Sequence, residues 1–224
     1  MRSLDNPIWR ALTTRQAHLG DHHGIASKFH AEVSQLGGFA EPDFAALARL
    51  VPIGEVAGIF IDEVSATPGF EIVLTAPLLQ MTYGARAIDD DAAAKHAIES
   101  LTPADVPAMM ALAALTKPGP FNRRTSEMGE FFGIRVGGEL VAMAGQRLRL
   151  PGHIEVSAIC THPDHVGRGY GAALTSFQVR RIRAAGEQPF LHVRGDNTRA
   201  ITLYERLGFD PARKSRYVVL RRAA

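Results

Sequence analysis

The sequence predicts an α/β fold, because strand and helix patterns alternate through its second half. The clearest pattern spans residues 156–174, where an apolar strand ends at a glycine-rich turn and a helix begins directly after it. A second pattern is Gly137 and Gly138 between two apolar runs, which is typical of a two-residue β-hairpin turn. With 224 residues, 46% of them hydrophobic, the chain can bury an ordinary core.

Residues 1–94 are predicted to form an N-terminal accessory α+β region. A helix is expected at 42–50, and apolar runs at 56–61 and 70–75 are expected to pair as strands. We expect this region to dock on the second half. A degenerate copy of the same fold is compatible with the pattern, although no sequence repeat supports it. The polar, small-residue segment 89–94 is predicted to separate it from a second domain at 95–224.

The second half has its own order of predicted elements. The predicted strands are 97–101, 131–136, 140–144, 154–160, 189–194 and 217–220. The predicted helices are 102–116, 170–185 and 197–207. Thr102 is the expected N-terminal cap of the first helix, and Asp196 or Asn197 is the expected cap of the last. Strand 154–160 is expected to place its apolar residues on one face, namely Ile154, Val156, Ala158 and Cys160. Glu155 is then expected on the opposite face.

The turn after that strand carries three glycines, Gly167, Gly169 and Gly171. Glycines let successive backbone N–H groups point toward one bound anion, and the N-terminus of the following helix adds unpaired donors. A phosphate or pyrophosphate is therefore the expected ligand. A Walker loop is excluded because no Gly-Lys-Ser/Thr follows. The dinucleotide fingerprint can be placed on Gly167, Gly169 and Ala172, but it belongs in the first βα unit with an acidic residue about twenty positions on.

The loop x-x-x-Gly169-Tyr170-Gly171 is followed by N-x-x-A-x-x-x-Y-x-x-x-G-F, which runs from Asn197 to Phe209. This pair of motifs resembles the GNAT superfamily of acyl-CoA N-acyltransferases, over roughly residues 95–222. The resemblance implies a mixed, mostly antiparallel sheet flanked by helices. The family usually has Gln or Arg at the position of Val166, so we expect weaker cofactor affinity, with Arg168 as a candidate for the missing charge.

The resemblance also implies a reaction and a site. It implies direct transfer of an acyl group, most simply acetyl from acetyl-CoA, to a primary amine in a ternary complex. Glu155 is the predicted general base, through a water, and Tyr204 the predicted general acid. The predicted cofactor-binding residues are Ile159, Cys160, Thr161, Val166, Gly167, Arg168, Gly169, Tyr170, Gly171, Ala172, Asn197 and Tyr204.

Each of these residues has a plainer interpretation that the sequence leaves open. Glu155 is also compatible with a surface-facing strand carboxylate or a salt-bridge partner, Tyr204 with a core aromatic residue, and Asn197 with a helix cap alone. Substitutes for the base are His153, Ser157, His162 and Glu127. Cys160 as a covalent nucleophile is disfavoured, because no His/Asp arrangement is readable around it.

The composition limits which partners and which cellular compartment the sequence predicts. Lys and Arg number 25 against 23 acidic residues, a net charge of +2 and a pI near 8.9, which does not favour a nucleic-acid partner. The single cysteine excludes an internal disulfide, and His18, His22 and His23 lack an acidic partner at ligand spacing, so no metal is predicted. No long apolar run suggests a signal peptide or membrane span. We expect a cytoplasmic monomer or homodimer.

Two other classes of function stay open. A degenerate domain of this kind would bind acyl-CoA without turning it over, as a sensor or structural module; the presence of both Glu155 and Tyr204 argues against it. A nucleotide-binding Rossmann protein would be protected by NAD rather than by coenzyme A in a thermal-shift assay. The sequence does not indicate which amine is the acceptor.

Overall fold

A computed structural model describes residues 4–64, 66–84 and 95–224. The described chain folds around one large β-sheet and a small three-stranded sheet, with helices packed on the large sheet. The predicted boundary segment 89–94 lies outside the described residues. None of the described helices is long and apolar enough to cross a membrane.

Eleven strands and five α-helices make up the described structure. The strands are β1 (Gly20–His23), β2 (Ala26–Phe29), β3 (Gly37–Phe39), β4 (Val56–Ile61), β5 (Phe70–Tyr83), β6 (Glu99–Leu101), β7 (Phe131–Val136), β8 (Glu139–Leu150), β9 (His153–Thr161), β10 (Gln188–Arg194) and β11 (Phe209–Arg222). The helices are α1 (Pro7–Leu12), α2 (Phe44–Ala48), α3 (Val106–Thr116), α4 (Tyr170–Ala184) and α5 (Thr198–Arg206).

The large sheet has the strand order β4-β11-β5-β10-β9-β8-β7-β6. Its strand pairs are antiparallel except β9 and β10, which run parallel. The predicted α/β class with a mixed, mostly antiparallel sheet is therefore confirmed. The predicted hairpin is also present, since β7 and β8 are joined at Gly137 and Gly138.

The parallel pair of strands separates partway along its length. β9 and β10 pair only from His153 to Glu155 on β9, opposite Gln188 to Phe190 on β10. Both strands continue beyond this point, β9 to Thr161 and β10 to Arg194. The edge of β9 that faces β10 is consequently open along its second half, in the middle of the sheet.

The prediction that segments 56–61 and 70–75 pair with each other was wrong. Both are strands, but the C-terminal strand β11 lies between β4 and β5 and pairs with each of them. β5 also pairs with β10, so the N-terminal half supplies a strand to the interior of the large sheet. The division at residue 94 stays a prediction.

The predicted alternation along β9 was also wrong beyond Val156. Ala158 has φ 51°, a left-handed conformation that costs a non-glycine residue about 1–2 kcal/mol, and the register with β8 shifts there. As a result Val156 and Ile159 both pack toward Ile182 on α4, whereas Ala158 and Cys160 pack with the residues of α3. The bulge therefore turns the second half of β9 relative to the first.

Candidate active site

The glycine turn and the start of α4 form one wall of an open cleft of about 790 Å³, which we call the loop cleft. The opposite wall is the start of α5, and the floor is the open end of β9. Every predicted cofactor-binding residue except Arg168 lines this cleft; these residues are Ile159, Cys160, Thr161, Val166, Gly167, Gly169, Tyr170, Gly171, Ala172, Asn197 and Tyr204. Arg168 is exposed at the turn.

The turn has the conformation that its glycines permit. Gly167 and Gly169 have φ values of 88° and 81°, which side chains disfavour, and Gly169 is the N-cap of the fifteen-residue helix α4. The first backbone N–H groups of α4 have no partner within the helix, and the helix dipole places partial positive charge there. The end of the cleft beside Gly169 is therefore suited to a phosphate group.

Tyr204 lies on α5, where its ring belongs to the hydrophobic core and still reaches the cleft. Only 9% of the residue is exposed, and its ring packs against Phe209 with centroids 6.1 Å apart. Burial raises the pKa of Tyr204 to about 12, so the hydroxyl keeps its proton at neutral pH. Asn197 caps the same helix, accepting a hydrogen bond at Oδ1 from Ala200 N at 3.1 Å.

A second cavity of about 470 Å³ occupies the gap where β9 and β10 separate, and we call it the inner cavity. It reaches the opposite side of the sheet, where Lys117, Arg147 and Ser157 contribute to its wall. The two cavities share lining residues at their junction; these are Ile159, Cys160, Thr161, Asn197, Arg199, Ala200 and Tyr204. A molecule in the loop cleft can thus contact a molecule in the inner cavity at Tyr204.

Glu155 is fully buried at the point where β9 and β10 separate. Its carboxylate accepts two hydrogen bonds from Arg147, at 2.9 Å from Nε and 2.6 Å from Nη2, and a longer one from Leu148 N at 3.3 Å. His192 Nδ1 donates to the same carboxylate at 2.7 Å, while His192 Nε2 accepts from Gln80 at 3.0 Å. The salt-bridge interpretation of Glu155 is therefore realised in the structure.

This network determines the charges of its members. Burial alone would raise the pKa of Glu155, but the charge of Arg147 and the hydrogen bonds donated by Arg147 and His192 outweigh it and lower the pKa to about 2. Burial lowers the pKa of His192, which keeps the imidazole neutral. A carboxylate with so low a pKa is a weak proton acceptor at neutral pH. Among the substitute bases, Ser157 lines the inner cavity.

Cys160 is buried beneath the floor of the cleft. Burial raises the pKa of its thiol to about 11, so the thiol is protonated at neutral pH. Since the thiolate is the reactive form of cysteine, this environment disfavours a covalent role for the side chain.

Sequence reasoning missed Arg147, His192 and Lys117 as members of the site. A usable signal existed for Arg147, because Arg147 and Glu155 flank the Pro151-Gly152 turn that joins β8 and β9. Opposite charges across a short hairpin are expected to pair. His192 and Lys117 belong to no motif, and only the packing of distant segments brings them to the cavity.

Comparison with known proteins places this fold in one class, the acetyltransferases. The family model described as FR47-like protein matches residues 131–218. The crystal structure of a putative acetyltransferase from the GNAT family of Novosphingobium aromaticivorans DSM 12444 covers 100% of both chains with a TM-score of 0.91 and 35% identity. This chain belongs to the GNAT family.

Curated relatives match shorter segments. A mycothiol acetyltransferase of Saccharomonospora viridis is 46% identical over 57 residues, which is 25% of this chain and 19% of that protein. The N-alpha-acetyltransferase RimI of Mycobacterium tuberculosis is 39% identical over 98 residues, which is 41% of this chain and 60% of that protein. The chain therefore matches a fifth of the length of the first relative and three fifths of the second.

Proposed function

We propose that this protein is an acyl-CoA-dependent N-acetyltransferase that transfers acetyl from acetyl-CoA to a primary amine by direct attack in a ternary complex. The observation that carries the proposal is the junction at Tyr204, where the loop cleft opens into the inner cavity. The loop cleft takes coenzyme A, and the inner cavity takes the amine. The names of the curated relatives, which are acetyltransferases, support the same chemistry.

The backbone around the loop cleft binds and orients the cofactor in this proposal. Amides from Val166 to Ala172 hold the pyrophosphate. The pantetheine arm pairs with the edge of β9 that β10 leaves open, as an added strand would. A main-chain N–H of this edge then stabilises the oxyanion on the thioester carbon, an interaction typically worth about 3 kcal/mol.

The chemical step needs a proton donor for the leaving group. The amine nitrogen attacks the thioester carbon, the C–S bond breaks, and the coenzyme A sulfur leaves as a thiolate. Tyr204 donates its hydroxyl proton to that sulfur and regains a proton that the amine loses, so amide and free thiol are the products. Glu155 was predicted as the base; its buried ion pair supports instead a positioning role through Arg147 and His192.

A thiol-release assay with a panel of amines tests the function. Release of coenzyme A that depends on an amine is the expected result. Suppose that coenzyme A binds, that no amine causes its release, and that Glu155→Gln does not change the amount of thiol released. The non-catalytic acyl-CoA-binding module would then replace the proposal. Protection of the protein by NAD rather than by coenzyme A in a thermal-shift assay would favour the nucleotide-binding class.

Gly169→Ala is expected to weaken coenzyme A binding about ten-fold. At φ 81° an added Cβ meets only an ordinary contact, 3.7 Å from His96 Nε2, so the cost comes from the left-handed backbone, about 1–2 kcal/mol. Relaxation of that strain would move the amides away from the pyrophosphate. Isothermal titration calorimetry measures the dissociation constant.

Gly186→Ala is the matched control for this loop variant. Gly186 also has a positive φ, 75°, with nothing within 4 Å of an added Cβ, and it ends α4 outside the cleft. Both variants should lose similar stability, while Gly186→Ala binds coenzyme A like the parent protein. Equal affinities in the two variants would contradict the proposed role of the turn.

Direct transfer predicts that no acyl-enzyme forms. Protein incubated with acetyl-CoA in the absence of an amine should carry no acetyl group on Cys160, because the buried thiol stays protonated at neutral pH. Peptide mapping by mass spectrometry provides the measurement, with iodoacetamide-labelled unfolded protein as the control for detection of this peptide. An acetylated Cys160 that disappears when an amine is added would replace the ternary-complex mechanism with a two-step one.

A further inference from the structure

The inner cavity has an unusual distribution of charge. Cationic residues line it from several elements: Lys117 follows α3, Arg147 lies on β8, Arg194 ends β10, and Arg199 lies in the first turn of α5. Among the described residues that line it, none is Asp or Glu. An anion in this cavity would meet complementary charge on more than one side.

Part of this positive charge is neutralised within the protein, and part is not. Arg147 is paired with Glu155, and Arg194 is paired with Asp196 at 2.6 Å. Within the described ranges, neither Lys117 nor Arg199 has a carboxylate at ion-pair distance. The cavity therefore keeps a net positive charge after the internal pairs are counted.

Arg147 is held in a fixed orientation beside the cavity. Glu155 accepts from its Nε and Nη2 atoms, which leaves Nη1 without a hydrogen bond to any described residue. The side chain is 21% exposed and lines the inner cavity next to Ser157 and Ala158. A guanidinium already oriented by one carboxylate can offer its remaining donors to a second anionic group at little entropic cost.

We infer that the acceptor is an amine that carries an anionic group, held in the inner cavity by Lys117 and the Nη1 group of Arg147. This inference rests on the proposed acetyl transfer. A cavity of about 470 Å³ suits a small molecule or the end of a chain. Its positive charge disfavours polycationic acceptors, and it also disfavours the ammonium form of a bound amine, which promotes the neutral nucleophile that attack requires.

Matched pairs of amines test the inference. The pairs are β-alanine and its amide, γ-aminobutyrate and its amide, and phosphoethanolamine and ethanolamine. The first two pairs test a carboxylate as the anionic group, and the third tests a phosphate. Each member is assayed by thiol release over a range of pH, because neutralising the anion also changes the pKa of the amine. The anionic member should have at least a ten-fold higher kcat/KM. Equal values within every pair would overturn the inference while leaving acetyl transfer intact.

Lys117→Asn tests the site itself. Lys117 has φ 50°, a conformation that Asn tolerates well, so the turn after α3 should be preserved. The preference for the anionic member should fall at least five-fold, mainly through KM. Lys214→Gln is the control, since it removes the same charge from an exposed residue that does not line the cavity. An equal loss of preference in both variants would point to overall charge and contradict the assignment.

A binding measurement keeps the inference testable if no amine in the panel is turned over. With coenzyme A bound, N-acetyl-β-alanine and N-acetyl-β-alaninamide are titrated by calorimetry against the parent and Lys117→Asn. Tighter binding of the acid by the parent, reduced in the variant, supports the anionic subsite even if catalysis fails. Indistinguishable affinities for acid and amide would overturn it. Failure of thiol release with a retained preference for the acid would count against the proposed function alone.

Discussion

Tyr204→Phe is expected to lower kcat for thiol release roughly 10²–10⁴-fold, the usual contribution of a general acid. The substitution removes the hydroxyl and keeps the ring that packs against Phe209. No hydrogen bond joins this hydroxyl to another described residue, and in the proposed binding mode the pyrophosphate of coenzyme A is held at the glycine turn. Stability and the KM for acetyl-CoA should therefore stay close to the parent values. Steady-state kinetics and thermal unfolding provide the measurements.

The matched control for this substitution is Tyr83→Phe. Tyr83 is buried in the same hydrophobic cluster and packs against the same Phe209, with centroids 5.4 Å apart, but it lines neither cavity. It should keep the parent kcat. A thioester with a more acidic leaving thiol should also be less sensitive to Tyr204→Phe, which a purely structural role would not explain. An unchanged kcat in Tyr204→Phe would remove Tyr204 from the mechanism.

Glu155→Gln is expected to lower the free energy of unfolding by about 3–5 kcal/mol. The substitution leaves Arg147 beside the cavity without its counterion. It also replaces one of the two oxygens that accept hydrogen bonds from Arg147, Leu148 and His192 by an NH2 donor. The double substitution Arg147→Gln with Glu155→Gln removes both charges and should recover much of that loss. Urea denaturation of the three proteins measures the effect. Full stability of the single variant with a large fall in kcat would favour Glu155 as the base.

The same ion pair predicts how the stability of the parent protein depends on pH. The pKa of Glu155 falls from 4.5, its ordinary value, to about 2 in the folded protein, so between these pH values the unfolded chain binds more protons. The stabilisation that this lowered pKa adds to the free energy of unfolding is complete above pH 4.5 and is lost as the pH falls toward 2. The stabilisation amounts to about 3 kcal/mol. In the double variant this part of the acid destabilisation should be absent.

Local features of the site were predictable from the sequence. The glycine turn is a single segment, and its backbone conformation, the start of α4 and the cap at Asn197 depend on residues only a few positions apart. The downstream motif also placed Tyr204 on the same helix as its cap. The charged groups of the inner cavity were not predictable in this way, because Lys117, Arg147 and His192 come from three elements that no motif connects.

The sequence by itself determined the α/β class, the phosphate-suited turn and the helix that carries Tyr204, because hydrogen bonds within turns and helices join residues close in the chain. Only the tertiary structure decided that β11 lies between β4 and β5, that Ala158 turns the end of β9, and that Glu155 is buried against Arg147. Strand partners and burial depend on contacts between distant residues; Gln80 and His192, for example, are 112 positions apart. The charge states of Glu155 and His192 follow from that packing, since desolvation and the ion pair with Arg147 both require the folded sheet.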